Sequence, residues 1–403
     1  MGFQAQTVHQ SQYAKIPDRI VGCQPGSGNQ HKAGILRTNQ GDPQMRTFCI
    51  LLLLGISPSL LQAQPKALFY MTTSAPSVQS FLDHADKIDI LVPTWYSVDV
   101  HGLVWGGSNP QVIQVAREHH VPVMPIIGGS GMGPEQYHQF FNDAAARHAM
   151  EQALVRECRQ NGYLGIQFDF EDISWRDSDA LSQTVAETAA ALHAAGYQLS
   201  IATVPNAPGY PGETAYSAWM YRDWRGAYDL KALAQSADLI CLMTYDQHTR
   251  YTPPGPVAGY PWVLENVKYA LTVVPKNKLS LGIAVYGYHW FAGAPPGGKN
   301  IPNNSAEYIG GPAALQLAHA YNAKLHWDPD DKTAWFYFYR AQDREWVFYT
   351  DSRAFAARYD LVKQDGLEGF CSWVLGEEDP AIWQLLPSHN HTGANQPTHQ
   401  QKN

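Results

Sequence analysis

The stretch Leu164-Gly-Ile-Gln-Phe-Asp-Phe-Glu171 alternates without a break. Gln167, Asp169 and Glu171 fall on one face of an extended strand, and Ile166, Phe168 and Phe170 on the other. Stability alone gives no reason to line one strand face with carboxyls. Carboxylates two residues apart on a strand have side chains roughly 6–7 Å apart, close enough for each to shift the other's proton affinity. The octapeptide predicts a strand that carries an acid/base site.

Outward from it, short apolar runs alternate with helical patterns. Strands are predicted at 67–71, 88–94, 121–127, 165–171, 198–203, 239–245, 279–285 and 369–373, with helices at 109–119, 179–195, 262–274 and 352–364. Asp177 or Ser178 could cap the second helix, and Gly196 follows its end. Eight strands with crossover helices predict an α/β fold, a (β/α)8 TIM barrel. A doubly wound open sheet is the alternative, but no G-x-G-x-x-G follows a strand. The run Gly128-Gly-Ser-Gly131 lacks the Gly-Lys-Ser/Thr of a phosphate loop. Residues 288–351 exceed any ordinary βα loop. Their helical pattern at 312–321 and aromatic runs at 333–339 and 346–349 predict a β-hairpin with a helix, a small α+β insertion domain between strand 7 and helix 8.

Composition narrows the function classes. The chain has 403 residues, 45% hydrophobic and 12% aromatic, enough for a large core. A net charge of −8 without a Lys/Arg block argues against nucleic acid or an anionic membrane surface as partner. The Trp and Tyr content suits stacking on sugars or planar ligands, or simply a large core. Residues 1–44 show no sustained periodicity. Residues 45–63 combine a basic start, an apolar stretch and a small residue before Gln64, the pattern of a secretory signal peptide. The expectation is translation from Met45, with 1–44 a disordered, non-native extension and the mature chain secreted, extracellular or periplasmic. A disordered leader followed by a membrane anchor is the other reading. The catalytic barrel is expected over 64–387 and a disordered tail over 388–403. Cys158, Cys241 and Cys371 suggest neither a disulfide framework nor a zinc site. Cys241 and Cys371 are expected as small buried hydrophobes. The His residues have no ligand spacing, so neither metal nor cofactor is expected.

In a parallel barrel, functional groups gather at the carboxyl ends of strands. Asp169 and Glu171 end strand 4, Tyr245 and Asp246 strand 6, Tyr286 strand 7 and Trp373 strand 8, while Tyr70 ends strand 1. Each could instead be a cap, an ion-pair partner or a core aromatic; their convergence is the signal. The order of motifs resembles glycoside hydrolase family 18, the chitinase-like barrels. That family's D-G-x-D-x-D-x-E is matched at Gly165, Asp169 and Glu171 and departed from at Leu164 and Gln167. Ile126-Ile-Gly-Gly-Ser130, Met243-Thr-Tyr-Asp246, Leu281-Gly-Ile-Ala-Val-Tyr-Gly287 and the segment from Gly369 to Pro380 resemble further family motifs in the family's order.

The resemblance implies retaining cleavage of β-linked N-acetylhexosamine polymers, with the substrate's acetamido oxygen as nucleophile. It makes Glu171 the general acid/base, Asp169 the orienting electrostatic partner and Tyr245 a donor to the acetamido oxygen. Asp246, Tyr286, Tyr70, Trp95 and Gln167 would bind substrate, with Trp373 the floor beneath the sugar. Gln167 removes a charge below Asp169, so Asp169 is expected to ionise more readily and to accept a hydrogen bond from Gln167. The pH profile would then be set mainly by Glu171. Leu164 lies at the strand's start and affects packing only. The expected partner is an N-acetylglucosamine-containing glycan such as chitin or peptidoglycan, bound by a monomer that touches no membrane once the signal is removed. Trp95, Trp105, Trp175, Trp219 and Trp290 are candidates for a groove. The rival functions are a catalytically inactive sugar-binding lectin and a barrel enzyme of another family using both carboxylates directly. The pair's close spacing on one strand argues against the latter.

Overall fold

The computed structural model describes residues 64–291 and 306–389. Eight parallel strands form its centre: β1 Lys66–Met71, β2 Ile90–Pro93, β3 Ile126–Gly129, β4 Gly165–Asp169, β5 Gln198–Thr203, β6 Leu239–Leu242, β7 Leu279–Ala284 and β8 Gly369–Trp373. They are hydrogen-bonded in the order β2-β1-β8-β7-β6-β5-β4-β3. The ring closes through a parallel bridge between Leu91 of β2 and Val123, with Leu91 N–H donating to Pro122 O at 3.0 Å and Met124 N–H to Leu91 O at 2.9 Å. This is a (β/α)8 barrel.

Two expected strands are shorter than their apolar runs. The run 121–127 contains Pro122 and Pro125, which have no N–H to give a ladder. It contributes the single bridge at Val123, and β3 begins only at Ile126. The run 239–245 stops at Leu242, because the N–H groups of Thr244 and Tyr245 turn back to the carbonyls of Leu242 and Met243, both at 2.8 Å.

The alternation of β4 divides two environments. Ile166, Phe168 and Phe170 join the apolar layer between barrel and helices, where Phe170 meets Tyr137 and Phe140 at ring distances of 5.6 and 6.3 Å. Inside the barrel, Leu68, Tyr70, Ile126, Ala202, Cys241 and Cys371 pack together beneath the strand ends. Helix Pro110–Glu118 is capped by Asn109 as its sequence suggests. Helix Ser178–Ala194 is followed by Gly196 at φ +86°, but the expected Asp177 cap is not made. The Asp177 carboxylate is instead 2.6 Å from His138 Nδ1.

The insertion is larger in strand content than a hairpin. Its antiparallel sheet runs Ala306–Gly310, Tyr286–Trp290, Asp343–Tyr349, Thr333–Arg340, His326–Asp328. Strand Tyr286–Trp290 begins two residues after β7, so the insertion starts directly at the barrel rim. Helix Gly311–Ala320 packs Ala314 and Ala318 against Ile309, Phe336, Phe338 and Val347 on one face. Trp335, Tyr337, Trp346 and Phe348 form a contiguous aromatic layer on the other. The expectations for 1–44, the signal peptide 45–63 and nearly all of the tail 388–403 lie outside the described residues. Among the described residues, no helix is long and apolar enough to cross a membrane.

Candidate active site

Strand ends supply the site. Tyr70 comes from β1, Asp169 ends β4 with Glu171 two residues beyond, Met243, Tyr245 and Asp246 follow β6, Tyr286 follows β7 and Trp373 ends β8. Together they line one cavity of about 170 Å³. Tyr70 and Tyr286 are buried in its walls, Asp169 is half-buried, and Glu171 and Asp246 are open to solvent at its mouth. The Tyr70 and Trp373 rings lie 5.3 Å apart. Val285 N–H donates to Trp373 O and Leu375 N–H to Tyr70 O, tying these walls together across β8.

Two acidic residues beside the cavity hold an uncommon backbone. Asp172, after Glu171, and Asp246, after Tyr245, both have φ of +60°. Asp tolerates the left-handed region better than most residues, yet at a cost, and such positions cluster where function fixes them. Asp246 is held there by hydrogen bonds donated by Tyr286 at 2.6 Å and Tyr288 at 3.1 Å. Tyr286 stacks in turn on Tyr308 at 4.4 Å. The insertion sheet thus fixes a carboxylate carried by the barrel.

The carboxyls are driven apart in proton affinity. Burial raises Asp169 to about 6. Burial, followed by the charges of Asp169, Asp172 and Asp246, raises Glu171 to about 8; water at the mouth moderates this push without reversing it. Surrounding protein also raises Asp246, against the opposing hydrogen bonds from Tyr286 and Tyr288. At neutral pH the arrangement favours an ionised Asp169 beside a protonated Glu171. Such a pair can give a proton at one carboxyl and stabilise positive charge at the other. Burial holds the Tyr245 hydroxyl well above its ordinary value, so it is a neutral donor. Asp169 Oδ1 and the Tyr70 hydroxyl have no hydrogen-bond partner among the described residues. Among the described residues, no Lys, Arg or His lines the cavity, and no cluster of His, Cys, Asp or Glu could hold a metal ion.

Two sequence candidates lie elsewhere. Gln167 is fully buried in the barrel interior, and its amide donates to Ser200 Oγ at 2.8 Å and Cys241 Sγ at 3.2 Å. The expected hydrogen bond to Asp169 is therefore replaced by bonds to β5 and β6. Burial raises Asp169 above its ordinary value, a cause separate from the charge that Gln167 leaves out. Trp95 is buried against Tyr163, 6.2 Å away, and does not line the cavity.

Other contributors were not read from the sequence. Tyr288 shares the alternating face of Tyr286, which is a usable signal. Tyr228 donates to Phe170 O at 2.6 Å, bracing the residue before Glu171, and no local pattern announces it. Gly129 lets strand β3 pass Tyr137, since a Cβ there would strike the Tyr137 hydroxyl.

Comparison with known proteins places this geometry. The family model described as glycosyl hydrolases family 18 matches residues 67–378. The cortical fragment-lytic enzyme of Bacillus subtilis (strain 168) is 29% identical over 246 residues, covering 61% of this chain and 54% of that protein. The chain thus spans about half the length of this curated relative. The spore cortex-lytic enzyme SleL of Bacillus megaterium QM B1551 superposes with a TM-score of 0.70 at 23% identity, covering 81% of this chain and 74% of that one. A chitinase from Chromobacterium violaceum gives a TM-score of 0.70 at 24% identity, covering 79% and 97%. At those identities the two structures speak to the fold.

Proposed function

The chain belongs to glycosyl hydrolases family 18, and we propose that it is a retaining glycosidase cleaving β-linked N-acetylglucosamine-containing glycans, chitin oligomers or peptidoglycan. Glu171 is the general acid in this reading. Its carboxyl, held near 8 and reachable from solvent, keeps a proton at neutral pH to give to the glycosidic oxygen. The substrate's own acetamido oxygen attacks the anomeric carbon as the leaving group departs, so no protein nucleophile is required. Asp169 accepts from the acetamido N–H and stabilises the positive charge of the cyclic intermediate. The Tyr245 hydroxyl donates to the acetamido oxygen, and Trp373 lies beneath the ring. Glu171, by then a carboxylate, takes a proton from the water that opens the intermediate.

The observation that carries the reading is the cavity in which Asp169, Glu171, Tyr245 and Trp373 meet at the strand ends. Burial and neighbouring carboxyls raise Glu171 there, as a proton donor requires and a sugar-binding protein does not. The test is the anomeric form of the product first released from N-acetylglucosamine oligomers and from purified peptidoglycan, followed by NMR. The β-anomer is expected before mutarotation; the α-anomer contradicts the mechanism. Binding without hydrolysis on both glycans indicates a lectin. Export through residues 45–63 belongs to the same proposal. Amino-terminal sequencing of protein recovered outside the cell should give a start near Gln64.

A further inference from the structure

Helix Pro134–Asn142 meets both ends of the loop that carries Glu171. Its Tyr137, Phe140 and Phe141 are buried against Phe170, the residue before Glu171, at ring distances of 5.6, 6.3 and 6.1 Å. Next to Tyr137 on the same helix, His138 reaches the loop's far end, where its Nδ1 lies 2.6 Å from Asp177 Oδ1. Between these contacts the chain passes through Glu171, Asp172 at φ +60° and the buried Ile173. The helix thus bridges residues 170 and 177 like a splint.

Local stability does not account for the pair. Asp177 stands at the N-cap of helix Ser178–Ala194, where an Asp side chain ordinarily accepts from the free N–H groups of the first turn. No such bond is made. Asp177 is instead 3% exposed, and among the described residues its carboxylate has one hydrogen-bond partner, His138. A buried carboxylate held by a single partner is a strict constraint. Without that partner its charge stays unpaired inside the protein, or the loop shifts until water reaches it. The other end is equally fixed, by the hydrogen bond from Tyr228 to Phe170 O at 2.6 Å. Glu171 and Asp172 are the exposed crest between two anchored ends.

We propose that His138 and Asp177 are a positioning pair for Glu171: by pinning the far end of the loop, they set where its carboxyl stands relative to Asp169 and the scissile bond. This rests on the glycosidase reading. Neither residue lines the cavity, so the pair acts on the reaction through the loop alone. Misplacing a reacting group by about 1 Å can cost on the order of 10²-fold in rate. The proton affinity of Glu171 reports the same displacement. Burial and the charges of Asp169, Asp172 and Asp246 raise it, and Tyr137, Tyr228 and Tyr245 also lie within its field.

The test uses the full chain and the variants His138→Ala, Asp177→Asn and the double change, with His138→Gln as a rescue because its amide can still donate. Two kinds of readout are compared. The first is kcat and KM across pH for an aryl glycoside of the N-acetylglucosamine dimer. The second is amide hydrogen exchange over 170–178 with an NMR titration of the Glu171 carboxyl, neither of which needs turnover. His138→Ala should lower kcat about tenfold while KM stays within about twofold. The upper limb should move down from about 8, as water reaches a loosened Glu171. Exchange should quicken over 170–178, and His138→Gln should recover most of each effect. The double variant should lose no more than the worse single one, because both changes cut the same contact. A lowered melting temperature with kcat, upper limb and loop exchange unchanged overturns the positioning role and leaves the glycosidase reading intact. So does a raised KM at constant kcat. Should the wild type hydrolyse no glycan, quickened loop exchange with a displaced Glu171 titration supports the pinning and overturns the enzyme. Unchanged exchange and titration overturn the pinning whatever the activity.

Discussion

Asp169 and Glu171 are chemically near-equivalent groups on one strand face, and their surroundings give them different work. Burial alone lifts Asp169 to about 6, whereas Glu171 also feels three neighbouring carboxyls and rises to about 8. The proposed mechanism needs the first ionised and the second protonated. It should therefore rise as pH passes about 6 and fall as pH passes about 8, in a bell whose limbs belong to the coupled pair. A kcat/KM profile with a single limb across that range counts against the assignment. Gln167→Asp restores a carboxyl inside the barrel beneath Asp169. The lower limb should then move upward in pH, because adjacent buried carboxyls resist ionising together. The alternation of 164–171 exposed the acidic face, and the motif order assigned its roles. Gln167's partners were illegible, because Ser200 and Cys241 lie on other strands and meet it only when the barrel closes. Trp95 and Trp105 show the same limit: one Trp is buried and the other 44% exposed, a distinction that loop sequence does not carry.

At the level of elements, close strand packing makes specific demands. A Cβ at Gly165 would collide with the Gln198 carbonyl of β5, a backbone atom that cannot swing aside. Gly165→Ala should thus destabilise the fold by roughly 1–3 kcal/mol, read as a lowered denaturant midpoint. No loss there would mean that β4 and β5 are less tightly apposed than described. All eight apolar runs become barrel strands, whereas the short strands Tyr96–Val98, Val104–Gly106, Ala306–Gly310 and His326–Asp328 were not read. Boundaries failed where backbone donors were missing or diverted, at Pro122, Pro125 and after Leu242. Several helices were overlooked, among them Ala75–His84, Pro134–Asn142 and Ala144–Asn161. The last buries Ala146, Met150, Leu154 and Cys158 at helical spacing, so the periodicity was present but diluted by charged neighbours.

Across the whole molecule, the barrel brings residues separated by three hundred positions to one end, and the insertion completes the wall. Tyr286 and Tyr288 reach from the insertion's sheet to Asp246 on the barrel, so neither part makes the site by itself. The count of strands and crossover helices was enough to read the barrel. The five-stranded insertion was read only as a hairpin with a helix, because its first strand continues β7 almost without a break and its pairing partners lie far along the chain. The account's central claim is that one carboxyl, Glu171, moves the proton for glycoside cleavage. The most direct test is the hydrolysis rate of an aryl glycoside of the N-acetylglucosamine dimer by Glu171→Gln relative to wild type at pH 7. The account predicts a fall of about 10²–10⁴; a variant that turns over at the wild-type rate would contradict it.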